Sequence, residues 1–364
     1  METNQIVAIQ LTDISAVAKY LASHTAGIYD EAYWLKILNW VWIDNPNINE
    51  THALFGYKIE NSSGKICGMF GNIPVQYTID GEIKRSSWPT SWYVDKNIRN
   101  RSLELFKMVA EQEGVLMNNT PLAFVETIIE RMFDFRKADS LWFQRSFLFP
   151  LSVLRSYFGE DIKSPFSLRR MGILSIGTLL KIPQAFHFML TKITRDNNEI
   201  SVKSINDFST ATDKWFTAFT KYHPCSFVRS SKNYHWLFCN KQHAHRYKVI
   251  EVQYKNEVQG YYVFKKRRAD NFSYIEMIDE AILPLPAKIQ QKIIQKVYAE
   301  IYKQTDKESL LVMRSNSDAI QAAYKKLLGI AVNKIEKSYF RADFLPQGEQ
   351  PFMTSLDGDS IFFQ

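Results

Sequence analysis

The residue types that bind metals or attack carbonyl groups gather in one stretch of the chain. Cys239 is followed by His243 and His245, and Cys225 stands near His223 and His235. A Cys-x3-His-x-His spacing does not wrap a zinc ion and no fourth ligand stands nearby, so no metal is expected there. A Cys225 pair with His223 or His235 would offer a thiolate activated by an imidazole. No nucleophile signature flanks it. The three cysteines, Cys67, Cys225 and Cys239, contain no CxxC and are too few for a disulfide framework. A reducing compartment, the cytoplasm, is the expectation.

Charge suggests other chemistry. Lys265-Lys266-Arg267-Arg268 directly follows Tyr261-Tyr262-Val263-Phe264. Basic residues beside aromatics can hold nucleic acid. A charged hairpin tip gives the same pattern and is the reading adopted, so nucleic acid is not an expected partner. Arg169, Arg170 and Lys181 flank the apolar run Met171 to Leu180. Such flanks suit peripheral membrane contact through residues 151–194. A linker packed against both neighbouring domains is the preferred reading. The net charge of +7 and a pI near 9.0 favour anionic partners without choosing among them.

The 364 residues are 46% hydrophobic, 14% aromatic and 23% charged, a globular balance that excludes long disorder and fibrous repeats. The length suits two domains. No apolar run reaches the roughly 18 residues of a spanning helix. Met1 to Leu21 has no basic leader, so it is not read as a secretory signal, and the sequons at Asn49, Asn61, Asn118 and Asn271 carry no weight.

The elements that must position any site follow from periodicity. Ile6 to Leu11 reads as a strand, and Thr12-Asp13 caps a helix over Ile14 to Leu21. Tyr29 to Val41 is helical and ends at Asn45-Pro46-Asn47. A period of two then sets in: strands over Leu54 to Ile59, Ile66 to Val75, Val75 to Ile79, Glu82 to Ser87 and Thr90 to Val94. Asp80-Gly81 forms a hairpin turn. A helix follows with apolar positions at Leu103, Phe106 and Val109. Then come a strand over Val115 to Met117, a helix over Leu122 to Met132 and a strand over Leu141 to Phe149. After residue 200 the order recurs. A helix spans Asp207 to Tyr222. Strands span Tyr247 to Gln253, Val258 to Lys265 and Phe272 to Glu280. A helix over Lys288 to Tyr302, a strand over Ser309 to Met313 and a helix over Ser317 to Leu327 complete it. The repeated order implies an internal duplication at the level of elements.

This order resembles the GNAT superfamily of acyl-CoA N-acyltransferases. Gly64-Lys65-Ile66-Cys67-Gly68-Met69-Phe70-Gly71 looks like the family's second strand. Trp92-Tyr93-Val94-Asp95-Lys96-Asn97-Ile98-Arg99 looks like its fourth strand running into the pyrophosphate loop. Asn316-Ser317-Asp318-Ala319, with Tyr324-Lys325-Lys326-Leu327-Leu328-Gly329-Ile330 behind it, resembles the family's N-xx-A … Y-ekl-GF helix, one residue longer. The resemblance implies an α/β fold in the mixed-sheet sense, with two GNAT-like domains in tandem, each a central mixed sheet flanked by helices. It sets an N-terminal domain at 1–150, an interdomain basic and apolar segment at 151–200, a C-terminal domain at 201–345 and a tail at 346–364.

The resemblance also implies a site. Acetyl-CoA or another acyl-CoA would be the substrate, with no metal. Its pyrophosphate would sit on Arg99, Asn100, Arg101, Ser102 and Leu103, where a helix N-terminus offers free N–H groups. Its pantetheine arm would pair with the backbone of Trp92, Tyr93 and Val94. Asn119 would lie near the thioester, and Tyr324 stands where the family often keeps a general acid. Glu126 and Glu130 are further candidate bases, and Ser87 to Trp92 a candidate acceptor lining. The family's R/Q-x-x-G-x-G/A becomes Arg99-Asn100-Arg101-Ser102-Leu103-Glu104, without glycine and with Glu104 repelling phosphate. In the second half Leu285-Pro286-Ala287-Lys288 has no glycine either, so that half is expected to have lost the cofactor. The expected function is acyl transfer to an amine or hydroxyl of a small molecule or glycan precursor, such as an amino sugar or cell-envelope precursor. The alternatives are a FemABX-like transferase that uses aminoacyl-tRNA and a non-catalytic binding protein of the same fold.

Overall fold

The structure is a computed structural model that describes residues 4–48, 55–112, 115–118, 136–146, 199–268, 273–304, 310–315, 331–342, 351–357 and Phe362. The fold is mixed α/β, as expected. Strand β1 (Gln5–Ala8) pairs with β2 (Gly56–Glu60), which leads into the long hairpin β3 (Ile66–Ile79) and β4 (Glu82–Val94). Asp80 and Gly81 both lie in the left-handed region, at φ 51° and 82°, the pair of angles that a two-residue hairpin turn demands.

The sequence reading divides β3 and β4 into shorter strands near Pro74 and Pro89. The structure runs straight through both, with Pro74 opposite Ser87 and Pro89 opposite Asn72. The reason is local. β2 stops opposite Gly71, so Pro74 stands where β3 has a single described strand neighbour. Its carbonyl instead accepts Asn45 Nδ2 at 2.8 Å. A proline removes a ladder donor only where a partner needs one.

The remaining strands are β5 (Val115–Asn118), β6 (Arg136–Ser146), β7 (Ile200–Ile205), β8 (Ser226–Phe227), β9 (Tyr247–Tyr254), β10 (Glu257–Arg268), β11 (Ser273–Ile282), β12 (Leu310–Ser315) and β13 (Ala331–Ala342). They form one sheet in the order β1-β2-β3-β4-β5-β13-β6-β12-β11-β10-β9-β7, with β8 pairing β3 to the side. β4 meets β5 in parallel and β11 meets β12 in parallel. At the centre β6 and β13 run antiparallel. The order and sense of pairing therefore read the same from either end. Strand β13 comes from late in the chain and lies between β5 and β6, so both halves of the chain share a continuous sheet. Neither β7 nor β13 is read from the sequence.

Helices α1 (Ile14–His24), α2 (Glu31–Leu38) and α3 (Ser102–Gln112) belong to the first half. Helices α4 (Thr210–Phe219), α5 (Ser231–Tyr234) and α6 (Ala287–Gln304) belong to the second. Asp30 caps α2 by accepting the Tyr33 N–H at 2.7 Å, and Ser230 caps α5. Each of these two helices runs on into a wider π turn, Asn39–Ile43 and His235–Cys239. Four residues of α5 are too few to register as periodicity, so the sequence reading misses it.

The largest core packs α1, α2, α4 and α5 against one face of the sheet and holds Trp34, Trp40, Trp42, Trp215 and Trp236. On the other face Leu105, Phe106 and Val109 of α3 cover β2 and β3, and Ile293, Ile294, Val297 and Ile301 of α6 cover β9 to β11. Each such side chain, fully buried, contributes about 1.5–3 kcal/mol. Among the described residues no helix is long and apolar enough to cross a membrane.

Candidate functional site

The candidate site begins where β4 leaves regular pairing. Thr90 stands opposite Gly71 and Tyr93 opposite Met69, so Ser91 and Trp92 together face Phe70 alone. This is a β-bulge, and Ser91 takes φ 52° to make it. On the other side, among the described residues, β5 pairs with β4 at Ser87 and Leu116. Past the bulge Trp92, Tyr93 and Val94 are half-buried, and Trp92 is held by Phe70 and Phe106 with ring centroids 5.3 and 5.5 Å away.

The chain then turns into α3. Asp95 N–H donates to Cys67 O, and a 3-10 turn over Lys96–Arg101 is kinked at buried Ile98. Beyond the kink helical geometry restarts, so Arg99, Asn100 and Arg101 form the first turn of the run into α3. First-turn amides lack intrahelical acceptors and carry the positive end of the helix dipole. Ser102 N–H is already bonded to Arg99 O, and Leu103 is half-buried. Arg99 and Asn100 are exposed. Arg101 is engaged: Nε and Nη2 reach Glu104 Oε2 at 3.1 and 2.8 Å, and Nη1 donates to Asn4 O at 2.7 Å. Glu104 is thus neutralised by its own neighbour.

Helix α1 pins this corner, which the sequence reading does not anticipate. Tyr20 hydroxyl reaches Cys67 O at 3.0 Å and Asp95 Oδ1 at 3.3 Å. Burial, with Asp95 beside it, pushes its phenol well above the ordinary range. His24 Nε2 lies 3.1 Å from the same Asp95 oxygen. The only sequence signal was a Tyr and a His four apart on a helix, which places both on one face.

The second half has a matching bulge. β11 pairs with β12 from Tyr274 to Met277, then bulges at Ile278, and Asp279 follows opposite Val263. A buried charge network stands here. Arg229 donates twice to Asp279, at 2.9 and 3.1 Å. Tyr234 and Thr354 hydroxyls donate to it at 2.6 and 2.8 Å. Asp357 lies 3.6 Å from Arg229 and accepts Tyr77 hydroxyl at 2.6 Å. Burial pushes the Asp357 carboxyl up to about 6. No spacing in the sequence links these residues, which come from β3, the loop after β8, α5, β11 and the tail.

Other flagged residues fall elsewhere. His243 is buried and stacked on Trp40 at 3.9 Å, and burial lowers it to about 3. It is therefore not beside Cys239 as a ligand. His223 packs on Phe219 and Phe352, pushed down to about 4 by burial. Lys265 and Arg267 are not at an exposed hairpin tip. Lys265 is 4% exposed within β10 and held down to about 7 by burial, with Arg267 and Arg246 adding to it. Arg267 donates to Glu276 across the ladder at 2.6 Å. Lys265 is thus a core residue because β10 continues to Arg268, further than periodicity indicated. Asn119, Glu126, Glu130, the segment 151–194 and Tyr324 lie outside the described residues.

No protein-family model matches the sequence, and no curated protein matches it. Solved structures do match. A GCN5-related N-acetyltransferase from Anabaena variabilis ATCC 29413 aligns with TM-score 0.56 and 10% identity over 93% of this chain and 72% of its own. One from Kribbella flavida aligns with TM-score 0.56 and 10% identity over 93% and 71%. A conserved protein from Enterococcus faecalis V583, described as a probable N-acyltransferase, aligns with TM-score 0.53 and 8% identity over 93% and 72%. With the bulged β4 and the helix start behind it, the chain has the fold of the GCN5-related N-acetyltransferases.

Proposed function

We propose that the chain transfers an acyl group from an acyl-CoA to an amine or hydroxyl acceptor, of the kind an amino sugar or cell-envelope precursor presents. The observation that carries this reading is the β-bulge of β4 at Ser91, with exposed Arg99 and Asn100 on the first helical turn after it. The pantetheine arm pairs along Trp92 to Val94, and the pyrophosphate lies on the amides and side chains of Arg99 and Asn100. Tyr20 and His24 hold Asp95 and so fix where that turn starts. In this reading the chain is two copies of one GNAT-like unit. The first binds acyl-CoA, while the matching bulge of the second carries the buried Arg229–Asp279 network and the tail. The aminoacyl-tRNA alternative loses support because Lys265 is buried and Arg267 is paired.

Calorimetry of acetyl-CoA and free CoA on the full chain tests it. Arg99→Ala should weaken binding roughly 10- to 100-fold, the size of a charge-assisted hydrogen bond of about 1.5–3 kcal/mol. Absence of binding by the unaltered protein at millimolar ligand overturns the reading.

A further inference from the structure

Asp207, His235 and Cys239 bring together three metal-ligating side chains, none of which belongs to the proposed acyl-CoA corner. Their donor atoms all lie within 4.8 Å of one another. His235 Nδ1 stands 2.9 Å from Asp207 Oδ1. The π turn explains the pairing of His235 with Cys239: residues four apart on it sit almost one above the other. Asp207 precedes α4 and reaches them from a separate element.

The chain carries its own control. The π turn of the first half lies 196 residues earlier. The positions matching Asp207, His235 and Cys239 by that interval are Leu11, Asn39 and Ile43. Leu11 and Ile43 are 43% and 51% exposed. The same surface of the same local fold therefore tolerates apolar side chains, and nothing in the architecture calls for a carboxylate, an imidazole and a thiol together.

We propose that Asp207, His235 and Cys239 bind one divalent metal ion of borderline softness, of which zinc is the type. A four-coordinate zinc holds N, O and S donors at about 2.0–2.3 Å, and this donor set suits it. The His235 and Asp207 side chains are 58% and 73% exposed, so exchanging their mutual 2.9 Å contact for the ion needs no rearrangement of the core and leaves a fourth position to water. On binding, the Cys239 S–H bond breaks, its electron pair goes to the metal and the proton leaves to solvent. No redox change occurs. A nucleophilic role fits less well. Burial, with Asp207 adding to it, pushes the thiol up to about 11, which leaves it neutral at pH 7 unless a cation stabilises the thiolate.

Cobalt titration of the full chain tests this. One equivalent of Co2+ should produce thiolate-to-cobalt charge-transfer absorption, release a proton and be displaced by zinc. Cys239→Ser should abolish the band, while Cys67→Ser should leave it intact. Should Cys239→Ser unfold, His235→Gln, altered only at an exposed position, should still lose tight binding with an unchanged circular dichroism spectrum. Zinc should raise the melting temperature of the unaltered protein and not that of His235→Gln. Absence of a band at micromolar cobalt overturns the proposal. So does a band that survives Cys239→Ser, or affinity unchanged in His235→Gln.

Discussion

Trp40 and Trp236 donate their indole N–H groups to each other's main-chain carbonyls, at 3.0 and 2.8 Å. The two residues stand 196 positions apart, each in the π turn that ends its helix. Asn240 Nδ2 and Asp44 Oδ2, at the same interval, also meet, at 2.9 Å. When matching positions touch each other, a local two-fold axis passes between them. This one joins the two halves through buried donors and acceptors, which carry a penalty if left unmade.

Replacing either tryptophan by Phe should therefore strand a buried carbonyl and destabilise by about 1–3 kcal/mol. Because the two bonds form one reciprocal unit, the double variant should lose less than the sum of the single losses. Urea unfolding of the four proteins measures this. Additive losses would show the two bonds to be independent.

Arg229 is the sole described cation between two buried carboxylates, Asp279 and Asp357. Burial opposes its charge, and those carboxylates more than restore it. Arg229→Met should destabilise by about 3–5 kcal/mol, since breaking a buried pair strands the partner charge. Arg229→Lys should not restore stability, because an ammonium lacks the planar fork that makes two bonds to Asp279. A lysine variant as stable as the parent would refute the importance of that geometry.

Two buried groups give opposing pH dependences. His243 falls from 6.5 to about 3 on burial. Its contribution is full above 6.5 and is lost as pH falls toward 3. Asp357 rises from 3.8 to about 6. Its contribution is full below 3.8 and is lost as pH rises through 6. His243→Phe keeps the stack on Trp40 and should flatten the acid limb of stability, whereas Asp357→Asn should remove the decline between about pH 4 and 6. Denaturation midpoints measured across pH 3 to 8 would reveal either slope, and unchanged slopes would count against these assignments.

Gly260 lies at the bulge of β10, where a Cβ would stand 2.2 Å from Ala281 O and 2.7 Å from Ile282 Cα. Gly260→Ala must push β11 away, at a cost of about 1–3 kcal/mol or more. Thermal unfolding should show this loss, and a neutral result would mean that the two strands separate easily there.

At the proposed acyl-CoA corner, Glu104 holds Arg101. Glu104→Gln should free that guanidinium and remove a negative charge from the helix start. CoA affinity should rise roughly 2- to 5-fold, the effect of about 0.3–1 kcal/mol for a charge at a helix terminus. Calorimetry beside Arg99→Ala provides the comparison, and a fall in affinity would mean that Glu104 organises the loop.

Short-range physics made much of this molecule legible. The Asp80-Gly81 turn, the apolar rhythm of α1 and α3, and the Arg99 turn after β4 all follow from steric and hydrophobic patterns within a few residues. The mixed fold was readable through the resemblance of the element order to the GNAT superfamily, because element order survives where sequence identity does not. Other features depend on which distant segments meet. The bulge at Ser91 exists because β3 and β4 are out of step by one residue. Arg229, Asp279 and Asp357 become a network only when a strand, a loop and the tail converge. Cys239 belongs with His235 and Asp207, not with His243, because the chain buries His243 against Trp40. Local sequence sets which backbone shapes are cheap. The free energy of burying side chains from remote segments selects their neighbours, and only the tertiary structure contains that choice.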